Sequence, residues 1–423
     1  TNGLIQNGDD SNNGFSNITI QNIGIINDIN VNLTQGGGWL CQSHFGRSIS
    51  SGTIVIENCY STGDITKKDG GGIAGSTLGR DMNGGSIIIQ NCYAIGELRG
   101  NNTGGIAGSI LGRDMNGGSI TIQKCHTTGD IRGISAGGIT GVSLGSKMSD
   151  SSITIQNCYA IGEIRGNYTG GITGSTLGDR MNNGSITIQN CYTIGDIRGF
   201  GPGGIAGGFL GAEMSDSSIN IQNCYATGEI TGFGTGGIAG NGLGNNMTSG
   251  SIIIQNCYAT GEIRGNNAGG IVAQNVGILM INGSINIQNC YTTGAISDEG
   301  AGGIAGALLG FEMSDGLITI QNNIYNDSGN NKPLIGSNSV TTYLTTNNNN
   351  TQSNNTWSDN NALNTIFTEN TWGTNYSKNI ITNDKRWFLL SNIENDINLL
   401  FIISKDKSDN LIFIHRIILI RIN

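Results

Sequence analysis

Residues 86–118 read SIIIQNCYAIGELRGNNTGGIAGSILGRDMNGG, and residues 119–151 follow without a gap as SITIQKCHTTGDIRGISAGGITGVSLGSKMSDS. The two lines match column by column, and the match extends well beyond them. Cys59, Cys92, Cys125, Cys158, Cys191, Cys224, Cys257 and Cys290 are each 33 residues apart, and all eight methionines, from Met82 to Met313, keep the same spacing. The Gly-Gly pairs that open GGIAG or its variants begin at 71, 104, 137, 170, 203, 236, 269 and 302. A period held this strictly means that each copy stacks on the next, because one inserted residue would shift every column.

A 33-residue period also suits helical repeats, but the composition excludes them. Each copy carries a glycine every few residues, and an interior helical glycine costs about 1 kcal/mol relative to alanine. The apolar pattern alternates instead, as Ile-x-Ile at 87/89, 120/122, 153/155 and onward. Period two with β-branched residues specifies strand. Each copy divides into three short strands, SIxIQ, CYAxGEIxG and GGIAGxxLG, with glycine and asparagine at the corners. The expected fold is all-β: a parallel β-solenoid (β-helix) of nine or ten 33-residue coils with a C-terminal cap. Successive coils lie about 4.8 Å apart, and the crossover preference predicts a right-handed path.

Stacking predicts what each column does. The methionines fill interior space beside Leu78, Leu111, Leu144, Leu177, Leu210 and Leu243. Asn58, Asn91, Asn157, Asn190, Asn223, Asn256 and Asn289 are expected to form an amide ladder, each side chain bonding the next. Tyr60, Tyr93, Tyr159, Tyr192, Tyr225, Tyr258 and Tyr291 stack beside them, with His126 in the place of one Tyr. Gly79, Gly112, Gly145, Gly178, Gly211, Gly244, Gly277 and Gly310 hold backbone angles that other residues avoid.

The series frays at its ends, which gives the domain plan. Residues 1–36 form an N-terminal cap and first coil, with Ile23 where later copies have Cys. Residues 37–325 are the solenoid, with Asn323 in the cysteine column. Residues 326–360 are an Asn/Thr-rich linker, and 361–423, with Trp372, Trp387 and the apolar run 411–420, form a C-terminal cap or accessory unit.

Composition narrows the function. The 71 glycines come with only two prolines, which excludes collagen. The net charge of −9 and the lack of any basic run speak against nucleic acid. No apolar run reaches the ~20 residues of a membrane span, and TNGLIQNGDD shows no signal peptide. The in-register cysteines are expected to be free, mostly buried thiols acting as small apolar residues; a disulfide framework or metal ladder is the alternative. Stacked neighbours have parallel Cβ vectors, unsuited to disulfides, and no C-x-x-C pair suggests zinc. Free thiols fit a chain matured in a reducing compartment.

The acidic column Asp64, Glu97, Asp130, Glu163, Asp196, Glu229 and Glu262 has Arg99, Arg132, Arg165, Arg198 and Arg264 two residues on, on the same strand face. It reads as an exposed band of alternating charge, with a calcium-binding edge as the sharper alternative. A catalytic solenoid would need unlike groups brought together by irregular loops. The three histidines, His44, His126 and His415, lie far apart, and no G-x-S-x-G motif occurs. An ice-binding face would need repeated Thr-x-Thr, whereas Thr121, Thr154, Thr187 and Thr319 alternate with Ile or Asn. No catalytic, cofactor-binding or metal residues are therefore assigned, and the chain is not expected to be an enzyme.

The Gly-Ile-x-Gly core within GGIAG, with NCYATGEI or similar beside it, resembles the GLUG-motif repeats of large bacterial surface proteins, including adhesin-like regions. The Asn- and Ile-rich versions are similar to repeat proteins of giant DNA viruses. The likeness covers roughly 37–323; Ile stands where the family name has Leu, and the copy at 269–273 reads GGIVA. The resemblance implies a surface or structural role and supplies no catalytic residues. The expectation is a rigid rod, fibre or spike segment on a virion or cell surface, partnered by itself or by other surface proteins. The alternative is an adhesin module whose solenoid face grips a glycan or protein.

Overall fold

The computed structural model describes residues 3–27, 32–326 and 333–337, and beyond them the backbone of five short strands. Each coil begins with a five-residue strand whose alternate residues are buried. In Ser86–Gln90, Ile87 and Ile89 are fully buried while Ile88 is half-buried. Nine such strands, from Thr53–Glu57 to Leu317–Gln321, pair in parallel at the 33-residue offset, Ile87 beside Ile120 and Ile120 beside Ile153. β1 (Ile18–Gln21) closes this sheet at one edge and Leu344–Thr346 at the other, making eleven strands. A second eleven-stranded sheet runs from β2 (Gly24–Ile26) through Tyr60–Thr62 to Thr351–Ser353. The fold is the expected parallel β-solenoid, and no helix occurs among the described residues.

The strand division within a coil differs from the expected one. CYAxGEIxG splits in two, as in Tyr159–Ile161 and Ile164–Arg165, and the second pieces build a separate five-stranded sheet. Gly162, between them, takes φ +148°, and a Cβ there would lie 2.2 Å from the Gly129 carbonyl oxygen one coil below. The expected third strand, GGIAGxxLG, reduces to isolated bridges such as Gly104 with Gly137 and Ala107 with Thr140. The chain doubles back too tightly there for a continuous ladder: a Cβ on Gly104 would lie 1.9 Å from the Ala107 carbonyl oxygen. The Gly79-to-Gly310 column has φ between +63° and +70°, as its glycines require.

Burial follows the columns. The Ile pairs, Leu111, Met115, Cys125 and their copies form one continuous core, in which each fully buried Ile contributes about 1.5–3 kcal/mol relative to exposure. A smaller core joins Trp39, Ile65, Leu98, Ile131, Ile164 and their successors, of which Ile164 onward lie on the short third sheet. Leu344–Thr346 and Thr351–Ser353 fall in the Asn/Thr-rich stretch and pair onto the two large sheets. From 355 the chain is a second compact unit, with an antiparallel sheet of Lys385–Leu390, Leu399–Lys405 and Leu411–Phe413. Trp387 lies on its first strand, whereas Trp372 and residues 414–420 lie outside the described residues.

Candidate functional site

The solenoid's side faces carry ladders of equivalent side chains, one rung per coil. The amide ladder is built mainly by glutamine rather than asparagine. Gln123 donates to Gln90 at 2.7 Å, and the chain of bonds continues without a break through Gln156, Gln189, Gln222, Gln255 and Gln288 to Gln321. The expected asparagine ladder forms only from Asn157 to Asn256, at 3.1–3.2 Å. Those asparagines are selected chiefly by the backbone: the whole column, Lys124 included, has φ near +53°, a region Asn tolerates better than most residues.

All nine cysteines are free and buried, but their role is not simply apolar filling. Cys92 Sγ lies 3.2 Å from the Gln90 carbonyl oxygen and 3.7 Å from that of Ile56, and this pair of contacts recurs in every coil. The same sulfur receives the backbone N–H of the residue one coil below: Ile23 for Cys59, Cys59 for Cys92, Cys125 for Cys158 and Cys257 for Cys290. Asn323 supplies the independent check. Standing in the cysteine column, its amide accepts the Cys290 N–H at 2.8 Å and donates to the Ile287 carbonyl at 3.0 Å. The column therefore requires a side chain that caps a buried N–H, and sulfur does so with little polarity. Burial pushes the thiols of Cys41, Cys125, Cys191, Cys224 and Cys290 up, while hydrogen bonds from the neighbouring thiols pull those of Cys92, Cys158 and Cys257 down.

The aromatic column stacks as expected, at 4.6–5.1 Å between centroids from Tyr60 to Tyr291, with His126 as one member. The acidic column is a staircase of ion pairs. Arg99 meets Glu97 at 2.7 Å and Asp64 at 3.8 Å, and Arg132 meets Asp130 at 2.7 Å. Arg132 holds the Asp130 carboxyl below the usual carboxylate range. From Asp64 to Glu229 the column alternates Asp and Glu, and the two residues do different things. The shorter Asp64, Asp130 and Asp196 each accept the backbone N–H of the Glu one coil on, at 2.9–3.0 Å, and the longer Glu reaches out to arginine. Exposed pairs of this kind are worth about 0–1 kcal/mol each.

Convergent chemistry is sparse. No group of three or more His, Cys, Asp or Glu side chains gathers as a metal site among the described residues. His44 pairs with Asp10 at 2.9 Å, far in sequence from His126, while His415 lies outside the described residues. An open groove of about 990 Å³ runs across several coils, lined by Gly118, Asp150, Ser152, Ser185, Asp216 and Ser251 among others. Two of its buried serines are committed to the backbone: Ser151 and Ser217 accept the N–H of Gly118 and Gly184. One aromatic break interrupts the polar columns. Phe200 and Phe233 stack at 5.1 Å, and Tyr168 packs edge-on to Phe200. No protein-family profile, curated protein or solved structure matches the chain.

Proposed function

We propose that this chain is a non-catalytic structural repeat protein, a rigid segment of a fibre or spike carried on a virion or cell surface. The observation that carries the reading is the set of side-chain ladders that run from coil to coil along the side faces. Glutamine, thiol, aromatic and ion-pair ladders bind each coil to its neighbours, which suits stiffness rather than turnover. The likeness of the GGIAG core to GLUG-motif repeats supports a surface setting. Immunogold labelling of intact particles or cells, followed by tomography of the labelled structures, tests it. Label on projecting rods is expected; label dispersed through the cell interior would overturn it.

An adhesin-type role has one observation in its favour, the aromatic break at Tyr168, Phe200 and Phe233. Phe200 and Phe233 are 37% and 40% exposed, in a column that elsewhere carries Asn101, Ile134, Asn167 and Asn266. Loss of cell or glycan adhesion in a Phe200→Asp, Phe233→Asp variant that keeps its β-sheet signal would favour that role over the passive one.

A further inference from the structure

A repeat this strict makes its exceptions informative, and several of them fall together in three consecutive interior coils. Tyr168, Phe200, Phe209 and Phe233 all stand outside the tyrosine column, yet they form one connected cluster. Phe200 stacks on Phe233 at 5.1 Å and meets Tyr168 edge-on at 5.4 Å, and Tyr168 leans on Phe209 at 5.0 Å. Two glycines make room for the Tyr168 ring: a Cβ on Gly208 would lie 2.8 Å from it, and one on Gly201 2.9 Å. Between positions 76 and 307 Gly208 is the one glycine of its column, in which Ser76, Ser109 and Ser175 also stand.

The charged staircase withdraws at the same place. Thr231, two residues before Phe233, occupies the column of Arg99, Arg132, Arg165, Arg198 and Arg264. Arg198, two residues before Phe200, is committed to Asp196 and Glu163 at 3.4 and 3.7 Å. The neighbours of the Phe pair in its own column are the exposed amides Asn167 and Asn266. Asn167 Oδ1 accepts the Phe200 N–H at 3.1 Å. The Asn167 Nδ2 and the Tyr168 hydroxyl make no hydrogen bond among the described residues. Stacking of coils explains none of these departures, because the other coils stack without them.

We propose that this cluster is a binding shelf for a neutral saccharide, a proposal that rests on the adhesin-type reading above and names its ligand class. Three features select that ligand. The shelf carries no unpaired charge, so it offers an ionic ligand nothing. It pairs aromatic rings with free polar groups, which matches a sugar ring: the C–H face, slightly positive, meets the negative face of an aromatic ring, and the hydroxyls around it reach Asn167 and Tyr168. At 37% and 40% exposure, the two Phe rings together present roughly 120–200 Å². A stable protein interface needs about 800 Å² per partner, so the shelf is sized for a short saccharide. The rings are already held by one another, which reduces the ordering cost of binding.

The test is saturation-transfer NMR of the full chain with neutral oligomers of glucose, N-acetylglucosamine, mannose and galactose, beside an oligogalacturonate and a polyproline peptide. Transfer to the ring C–H protons of at least one neutral oligomer is expected. Phe200→Ala with Phe233→Ala should weaken its affinity roughly fivefold or more, as truncation of contact residues does, with β-sheet circular dichroism unchanged. Gly208→Ser, which crowds the Tyr168 ring, should also weaken it, whereas Phe200→Tyr with Phe233→Tyr should retain it. Binding of none of the neutral oligomers overturns the proposal. So does a double alanine variant that binds like the parent, or a preference for the oligogalacturonate or the polyproline peptide. If the double alanine variant loses its β signal, the Phe ring resonances of the parent decide: a shift on titration with the oligomer supports the shelf, and no shift refutes it. Adhesion to cells that is lost in Phe200→Asp with Phe233→Asp, while no saccharide binds, removes the proposal and leaves the adhesin-type reading standing.

Discussion

Replacing Cys158 by alanine separates a hydrogen-bonding column from a merely apolar one. Cys158 Sγ lies 3.2 Å from the Gln156 carbonyl oxygen and 3.6 Å from that of Ile122, and it receives the Cys125 backbone N–H. Alanine removes the sulfur and leaves that N–H buried without a partner, which costs about 1–3 kcal/mol. The small cavity adds roughly 1 kcal/mol, so the expected loss is about 2–4 kcal/mol, felt locally because each coil contacts only its neighbours. Serine keeps a donor and an acceptor, so Cys158→Ser should lose about half as much. Amide exchange at Cys125 is the direct assay: at a factor of ten per 1.4 kcal/mol, the alanine variant should exchange about 30- to 700-fold faster. A Cys125 amide within threefold of the parent in Cys158→Ala would refute the capping role and return the column to simple filling.

Deleting one full period, 126–158, should leave a shorter folded solenoid, whereas deleting half a period from the same place should abolish the β-sheet circular dichroism. Under native, non-reducing conditions the column thiols should resist alkylation, then label fully in denaturant without reductant, as counted by mass spectrometry. His126, stacked between Tyr93 and Tyr159, has its pKa lowered from 6.5 by burial. The unfolded chain therefore takes up the proton first, and stability should fall as pH drops below about 6.5, with a slope that is smaller in His126→Tyr, the remainder including His44, which burial also lowers. Ile110 is held at φ +61° by its column, so Ile110→Asn should raise stability by about 1 kcal/mol, read as a higher denaturation midpoint.

The fold was legible because stacking writes one coil's solution many times, so periodicity, Ile-x-Ile alternation and glycine phase agreed with one another. Two ladders were misread for related reasons. Asn157 and Gln156 are adjacent and both recur, and the familiar preference of Asn for corners drew the amide ladder to it, although the glutamine lies in the strand where successive side chains superimpose. The thiol column looked apolar because cysteine usually behaves so. Asn323 in that column was the available signal, since an amide would not replace a purely apolar residue at a fully buried position. The split of the second strand at Gly162 was not visible, because it depends on the approach of the Gly129 carbonyl from the coil below.

Repetition also explains why local residue preference is overruled so often here. Column 77, 110, 143, 176, 209 keeps φ between +59° and +62° through Thr77, Ile110, Ser143, Thr176 and Phe209, although β-branched and aromatic residues disfavour it by about 1–2 kcal/mol each. A coil cannot relax its own corner without breaking the bonds to both neighbours: Ile110 donates to Val142 at 2.7 Å, and Thr77 donates its N–H to Ser109 at 2.8 Å. Backbone geometry is therefore inherited from adjacent coils, and the side chain adapts to it. The consequence reaches function. Interior coils are constrained on both sides, so chemistry that needs an unusual backbone has little room there.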